Sequence, residues 1–412
     1  MSADHANAVV DNPAQDLQSV AAIRARCGNI AAAVTAGRSD HFTVDRARLD
    51  DVAARVAAVT RQRYPSLAIP YHSRWRHFEA GGVARKAELD LALAGQARAD
   101  IARAQIDLAV VSVLLDAGAG PAWSYAEAST GQRFARSEGL GVASFRAFMA
   151  GAFSTSRDDP CRVDGSALAK VDAAMLAHWF QVAPGNPLVG LEGRAALLRR
   201  LGAALAHDHG SLDGAARPGA LFDMLTRNGV LHSIRAEAIL VALFEGLGSI
   251  WLTGNSLEGV PLGDVWRHPR AGGDGGTAGW VPFHKLSQWL AYSLFEPFEW
   301  AGVAVAVRDD LTGLPEYRNG GLLLDAGVLA LRDPDAARRT HDVGSPLVVE
   351  WRALTVVLLD ELAPRVRTAL GVPDLPLACI LEGGTWATGR VLAAELRDGT
   401  PPLTIQSDGT VF

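Results

Sequence analysis

Val281-Pro282-Phe283-His284-Lys285-Leu286-Ser287-Gln288-Trp289-Leu290-Ala291-Tyr292-Ser293-Leu294-Phe295-Glu296 is the stretch on which the reading of this chain turns. Its period is helical, with Leu286, Leu290 and Leu294 on one face and Pro282 placed to open the first turn. A second face carries Lys285, Gln288, Trp289, Tyr292 and Glu296. One explanation is an ordinary amphipathic helix, half exposed. The choice of cation argues for another. Of 39 basic residues only Lys86, Lys170 and Lys285 are Lys, so Arg does the generic solvating. A Lys set among aromatics is a compact point charge that the planar Arg fork does not replace.

Helical spacing extends outward from this segment. Leu49, Val52, Val56 and Val59 repeat at intervals of three to four, as do Ile101, Gln105, Leu108, Val111 and Leu115, which end at a Gly/Pro-rich stop. Leu168, Val171, Met175 and Trp179 predict a further helix, and Leu197, Leu201 and Leu205 another. Residues 234–247 and 347–362 read as long apolar helices. Ser345-Pro346 supplies a cap and first turn for the second, which Pro364 is expected to end or kink. Strand signals are few: residues 303–307, and a C-terminal hairpin with 404–406 and 410–412 joined by a tight Asp408-Gly409 turn. Residues 271–279 are a Gly-rich loop. With no clear linker and no internal repeat, the expectation is a mainly α, single multi-helix domain over 21–412, with a few short strands and a flexible N-terminus at 1–20.

The totals bound the function. The chain has 412 residues, is 49% hydrophobic and carries a net charge of −6, without the basic surplus that a nucleic-acid binder usually shows. Cys27, Cys161 and Cys379 are sparse, odd in number and outside any CxxC, which argues for a reducing compartment. The first residues lack a signal-peptide core, and no apolar run reaches membrane-spanning length. A cytoplasmic protein with no membrane partner is expected.

Four further places could carry chemistry. Glu316, Tyr317, Arg318 and Asn319 present acid, hydroxyl, cation and amide in consecutive positions of a loop (residues 311–321), or they form a turn with a solvated Arg–Glu pair. Glu350 shares a helix face with Leu347, Leu354 and Val357, so its carboxylate points inward. It is either the partner of a buried Arg, a capping contact to another helix, or a catalytic acid. His72, Arg74, Arg76 and His77 alternate with aromatics over residues 69–78, a pattern that receives a phosphate or covers an apolar wall. His207-Asp208-His209 is a weak metal signal with no third ligand nearby, so neither a metal nor a cofactor is expected. A dinucleotide loop, a phosphate loop and a nucleophile elbow are all absent from the sequence.

Several of these stretches together resemble the uracil catabolism protein 4 family: residues 21–24, 37–42 (GRSDHF), 71–78 (YHSRWRHF), 263–268 (GDVWRH), 279–288, 296–302 (EPFEWAG), 311–321 and 381–386 (LEGGTW). The likeness runs from about residue 20 to the last. It implies a role in a ring-opening route of uracil breakdown, thought to pass through a nucleotide and a ribosylurea species. The order Lys285…Gln288, Glu316-Tyr317-Arg318 and Glu350-Trp351-Arg352-Ala353 is more remotely similar to the queuosine salvage N-glycosidase family. That family shows Lys-Arg-Ala-Gln, Asp-Tyr-Arg-Val-Pro-Gln and Glu-Ile-Arg-Ala in the same order, and Leu115-Asp116-Ala117 looks like its Asp-Ala-Asn. The likeness implies a fold resembling helical DNA glycosylases. This chain departs from it where Glu316 stands for Asp and Asn319-Gly320-Gly321 for Val-Pro-Gln.

The resemblance implies a site. Glu316, Lys285 and Asp116 would be catalytic: Glu316 stabilises positive charge at an anomeric carbon, Lys285 positions it or binds the sugar or phosphate, and Asp116 holds ribose hydroxyls or the leaving group. Trp289, Tyr292 and Tyr317 would wall the pocket. Arg318, His72 and Arg76 would receive a 5′-phosphate, and Asn319 or Gln288 would hydrogen-bond a ureido leaving group, with Glu350 also among the binding residues. The expected partner is a small nucleoside- or nucleotide-derived ureide, ribosylurea or its 5′-phosphate, cleaved to urea and ribose or ribose phosphate. A metal-independent ureido amidohydrolase and a non-catalytic ligand-binding or scaffold protein remain the alternatives.

Overall fold

Apolar residues at helical spacing become packed helices along most of the chain. The computed structural model describes residues 12–116, 118–207 and 216–406. The helices that matter for the site are α1 (Val20–Thr35), α2 (Leu49–Arg63), α3 (Arg98–Leu114), α4 (Arg136–Met149), α5 (Ala236–Leu247), α6 (Lys285–Trp300), α7 (Tyr317–Asp325), α8 (Pro346–Leu370) and α9 (Trp386–Arg397). The fold is mainly α, around one large apolar core with a small satellite built from Ala14, Leu17, Leu262, Val265 and Trp280. Helix α8 runs through the core, packed against α1, α2 and α7. It does not stop at Pro364 but continues to Leu370, where Gly371 at φ +71° closes it in the left-handed region. Ser345 holds its N-cap position, but the hydroxyl makes no capping bond.

Helix α6 begins later than its Pro suggested. Pro282 closes a short strand, Trp280–Pro282, paired antiparallel with Val265–Arg267. His284 then turns the chain at φ +48° and starts the helix at Lys285. The expected helix around Leu168–Trp179 is two short ones, Gly165–Leu168 and Ala173–Trp179. Ile234 lies in a strand, Ser233–Arg235, paired parallel with Ala304–Ala306, which is the strand expected at 303–307. Thr404–Gln406 is also a strand, but it pairs in parallel with Thr340–Asp342. The turn and return strand of the expected hairpin lie outside the described residues, as do His207's side chain, Asp208 and His209. Among the described residues every sheet is two-stranded. Residues 12–20, read with the flexible N-terminus, form a short helix, Pro13–Asp16, and bury Ala14 and Leu17. Cys27, Cys161 and Cys379 are free and buried.

Two glycines set how close α9 and the turn that leads into it come to their neighbours. A Cβ on Gly384 would strike Val56 of α2 and come 2.6 Å from the Thr60 hydroxyl. A Cβ on Gly389 would strike the Arg318 carbonyl in α7, whose carbon lies 3.0 Å away. Backbone cannot swing aside as a side chain can, so Gly389→Ala must push α9 off α7. The expected result is a destabilisation of about 1–3 kcal/mol, read as a lower denaturant midpoint at unchanged slope.

Candidate active site

Lys285 and Glu316 face one cavity of about 380 Å³, a volume suited to a small metabolite. The first residues of α4, α6 and α7 and the segment after α3 meet around it.

Lys285 is the first residue of α6. Its backbone N–H donates to Asp264 Oδ2 at 3.0 Å, and both Asp264 oxygens accept from Arg352 at 2.7 Å. The half-buried amine is thus delivered by a helix start that a buried ion pair anchors. Burial lowers the Lys285 pKa, against the opposing pull of the Glu316 and Asp116 carboxylates. Glu316 is the N-cap of α7 and is 9% exposed. Its Oε2 accepts from the Arg318 N–H at 2.7 Å and its Oε1 from the Asn319 N–H at 2.5 Å. Burial raises its pKa, while those two N–H bonds and the Lys285 charge favour the ionised form. Asp116, two residues past the end of α3, accepts from Arg74 Nη1 at 2.6 Å and from Ser137 Oγ at 3.1 Å. Burial raises its pKa too, opposed first by Arg74 and also by Lys285. Two partly desolvated carboxylates and one ammonium therefore share the same small volume.

Trp289, Tyr317, Arg318 and His72 also line the cavity. His72 sits between Trp289 and Trp386, with ring centroids at 6.4 and 5.9 Å. Its Nδ1 bonds Glu382 Oε2 at 2.9 Å. Glu382 stands on a π-helical turn, Leu381–Thr385, that leads into α9. Burial would raise the Glu382 pKa, but His72 and Arg63 outweigh it and hold the carboxyl at about 2.

Five expected site residues are placed elsewhere. Gln288 is fully buried and grips Thr312: its Nε2 donates to Thr312 Oγ1 at 2.8 Å and its Oε1 accepts from the Thr312 N–H at 2.9 Å. The Tyr292 hydroxyl donates to the Thr312 carbonyl at 2.9 Å. The α6 polar stripe therefore splits, with Lys285 and Trp289 serving the cavity and Gln288 and Tyr292 tethering the loop that carries Glu316. Asn319 donates to the Leu314 carbonyl at 3.1 Å and accepts from Thr385 Oγ1 at 2.9 Å, locking α7 to the π turn. Arg76 turns away to Glu79 and Glu296, at 2.9 and 2.7 Å. Glu350 lies fully buried in a separate cluster, where Ser39 donates to Oε1 and His268 Nε2 lies 3.6 Å from Oε2. Its neighbour Arg352 belongs to Asp264, so the expected Glu–Arg pair is not made.

Arg74 and His77, noted only as part of the basic and aromatic pattern over 69–78, were left out of the assigned site. In the short helix Arg74–Phe78 they stand three apart and share a face, whereas Arg76 does not. That spacing was readable and would have selected the right pair. Arg74 is fully buried, lies over the Trp289 ring at 5.6 Å, and donates from Nε to Ser112 at 2.6 Å as well as from Nη1 to Asp116. Its Nη1 also lies 2.9 Å from His77 Nδ1. Arg can only donate, so Nδ1 accepts and the imidazole proton sits on Nε2. Burial first, and then the Arg74 charge, push the His77 pKa well below its ordinary value, which keeps the ring neutral. His77 thus brings a neutral N–H donor to the cavity wall.

The buried carboxylates set the acid limit of the fold. Burial acts against Asp264, Glu127 and Glu382, yet their cationic partners hold all three at about 2. A depressed folded pKa contributes stability above the unfolded value, near 4, and that stability is lost as pH falls toward 2. Thermal denaturation followed by circular dichroism should show a midpoint that holds down to about pH 5 and collapses between about 4 and 2.

The family model described as protein of unknown function (DUF1688) matches residues 16–412. Uracil catabolism protein 4 of Lachancea kluyveri is 38% identical over 438 aligned positions, covering 98% of this chain and 100% of that protein. Protein urg3 of Schizosaccharomyces pombe is 41% identical over 386 positions, covering 90% of this chain and 92% of that protein.

Proposed function

The chain belongs to the uracil catabolism protein 4 family, and from that premise we propose that it is an enzyme of uracil degradation that hydrolyses the N-glycosidic bond of ribosylurea or its 5′-phosphate. One observation supports the reading: Lys285 and Glu316, 31 residues apart, line with Asp116 one half-open cavity of metabolite size.

Breaking the bond between the anomeric carbon and the ureido nitrogen develops positive charge on the sugar. The Glu316 carboxylate, itself 9% exposed, stabilises that charge and aligns a water for attack. Its raised pKa makes it a better proton acceptor than an ordinary carboxylate. The water oxygen bonds to the anomeric carbon. Its proton passes to Glu316 and on to the departing nitrogen, so urea and the free sugar leave with atoms balanced. The Arg318 and Asn319 N–H bonds, and after them the Lys285 charge, favour the ionised form of Glu316. Asp116, oriented by Arg74 and Ser137, accepts hydrogen bonds from ribose hydroxyls. The leaving group needs a donor, and with Asn319 and Gln288 committed elsewhere that role falls to His77 Nε2–H, bonding the ureido oxygen. His77→Ala should lower kcat for urea release about 10²-fold with little change in KM.

A second reading draws on the two backbone N–H bonds to Glu316. A carboxylate so engaged is also a sound helix cap, as it would be in a non-catalytic ligand-binding protein. The assay that separates the two is incubation of the purified protein with ribosylurea and with its 5′-phosphate, with urea measured over time. Release from either supports the hydrolase. Binding of both with no urea, under conditions where a lysate containing the pathway makes it, supports the binder.

A further inference from the structure

We propose that the cavity has a phosphate subsite formed by Arg136, Arg318 and the opening turn of α4, so that its ligand is the phosphorylated sugar and not the free nucleoside-type ureide. The inference rests on the ureide reading of the same cavity and narrows it to one form of the substrate.

Charge bookkeeping in the wall leads to this conclusion. The lining side chains include three cations, Lys285, Arg136 and Arg318, against two carboxylates, Asp116 and Glu316. Lys285 answers Glu316, and Asp116 is answered from behind by Arg74. Arg136 and Arg318 are left over, and no described carboxylate pairs with either. This surplus stands out in a chain of net charge −6.

Each arginine is held in a way that costs the fold something. Arg318 is 5% exposed, yet its Nε has no partner, while its Nη1 donates to the Gly399 carbonyl at 3.2 Å. A guanidinium with one N–H engaged keeps further donors that an anion can accept from. Its Cζ lies 4.8 Å from the centroid of the Tyr317 ring. Arg136 takes φ +53°, a left-handed conformation that Arg rarely adopts, at the first residue of α4. No side chain caps that helix start, and Ser137 in its first turn also lines the cavity. Two guanidinium forks, an uncapped helix start of 14 residues and the Tyr317 hydroxyl form a receptor for a tetrahedral dianion. With Glu316 and Asp116 placed for the ring and its hydroxyls, the phosphate of a 5′-phosphorylated pentose has one cationic place to go.

The test is calorimetric binding of ribose 5-phosphate, ribose and inorganic phosphate to the full chain, with parallel urea assays on both ureides. Ribose 5-phosphate should bind at least tenfold tighter than ribose, and the advantage should shrink as salt rises. Arg136→Asn removes the cation while tolerating the positive φ, and should erase about tenfold of ribose 5-phosphate affinity without touching ribose. Arg318→Gln should do the same, and its melting curve controls for folding. Equal affinity for ribose and ribose 5-phosphate, or phosphate binding indifferent to both substitutions, overturns the proposal. Turnover of the free ureide as efficient as that of the phosphate ester overturns it while leaving the hydrolase reading in place. Arg136-dependent binding of ribose 5-phosphate with no urea from either ureide upholds the subsite and removes the hydrolase.

Discussion

Glu316→Gln should abolish most urea release, by on the order of 10²–10³ in kcat, while the protein melts within a few degrees of the parent. The two effects separate because Glu316 has two jobs. As the cap of α7 it accepts from the Arg318 and Asn319 N–H groups, and a Gln carbonyl keeps one of those bonds at a cost of about 1 kcal/mol. That cost is partly offset. A carboxyl whose folded pKa is raised contributes stability at low pH and loses it as pH rises through the folded value, so a neutral amide recovers at pH 7 what burying the charge costs. Glu316→Asp gives the sharper contrast. Asp is among the best N-cap residues, so the helix start survives, but the carboxylate retracts by one methylene. Intact stability with activity down about tenfold or more would show that reach toward the substrate, and not capping, is what Glu provides. The parent enzyme should also lose activity on the acid side at a pH above the ordinary carboxylate value of 4.5, as Glu316 takes up its proton.

Lys285→Met should inactivate the enzyme to a similar degree and leave stability unchanged or improved. Burial lowers the Lys285 pKa, so in the neutral range the folded chain is holding a charge it would rather shed. A Met of similar length fills the space without that cost, and Glu316 keeps its two N–H donors when the ammonium goes. Function loses more. Without the nearby cation the Glu316 pKa rises further, so the residual activity should show its acid limb displaced to higher pH. A melting temperature at or above that of the parent, beside a large fall in kcat, marks a residue retained for chemistry. A fall in both, in proportion, would make Lys285 a structural residue.

The helices were legible because their apolar residues recur at the period of the packed face, and α3, α5 and α8 stand close to where that period places them. What failed was local. Pro364 is compatible with a helix whose packing overrides the lost hydrogen bond, and Pro282 belongs to a strand because His284 adopts a left-handed turn that no pattern announces. The site was half legible for a related reason. Lys285, Glu316 and Asp116 were selected by residue type and by resemblance, and the fold brings them together. Gln288, Tyr292, Asn319 and Glu350 have equally functional side chains but spend them on backbone groups and on the hydroxyls of Thr312, Thr385 and Ser39, and a sequence does not say which partner a buried amide or acid will find. Arg76 was preferred to Arg74 although only Arg74 shares a helix face with His77, an error that spacing could have corrected. Arg136 carried no sequence signal at all, since its place at the cavity depends on a turn with positive φ.

One measurement tests the central claim most directly: carbon-13 NMR of the purified protein with ribosylurea and its 5′-phosphate, labelled at the ureido carbon, with the Glu316→Asp and Lys285→Met variants alongside. The account predicts that the label moves into urea as the sugar is freed, and that both variants slow this at undiminished stability. Label appearing as bicarbonate with release of ammonia, or remaining in intact substrate under every condition, would contradict it.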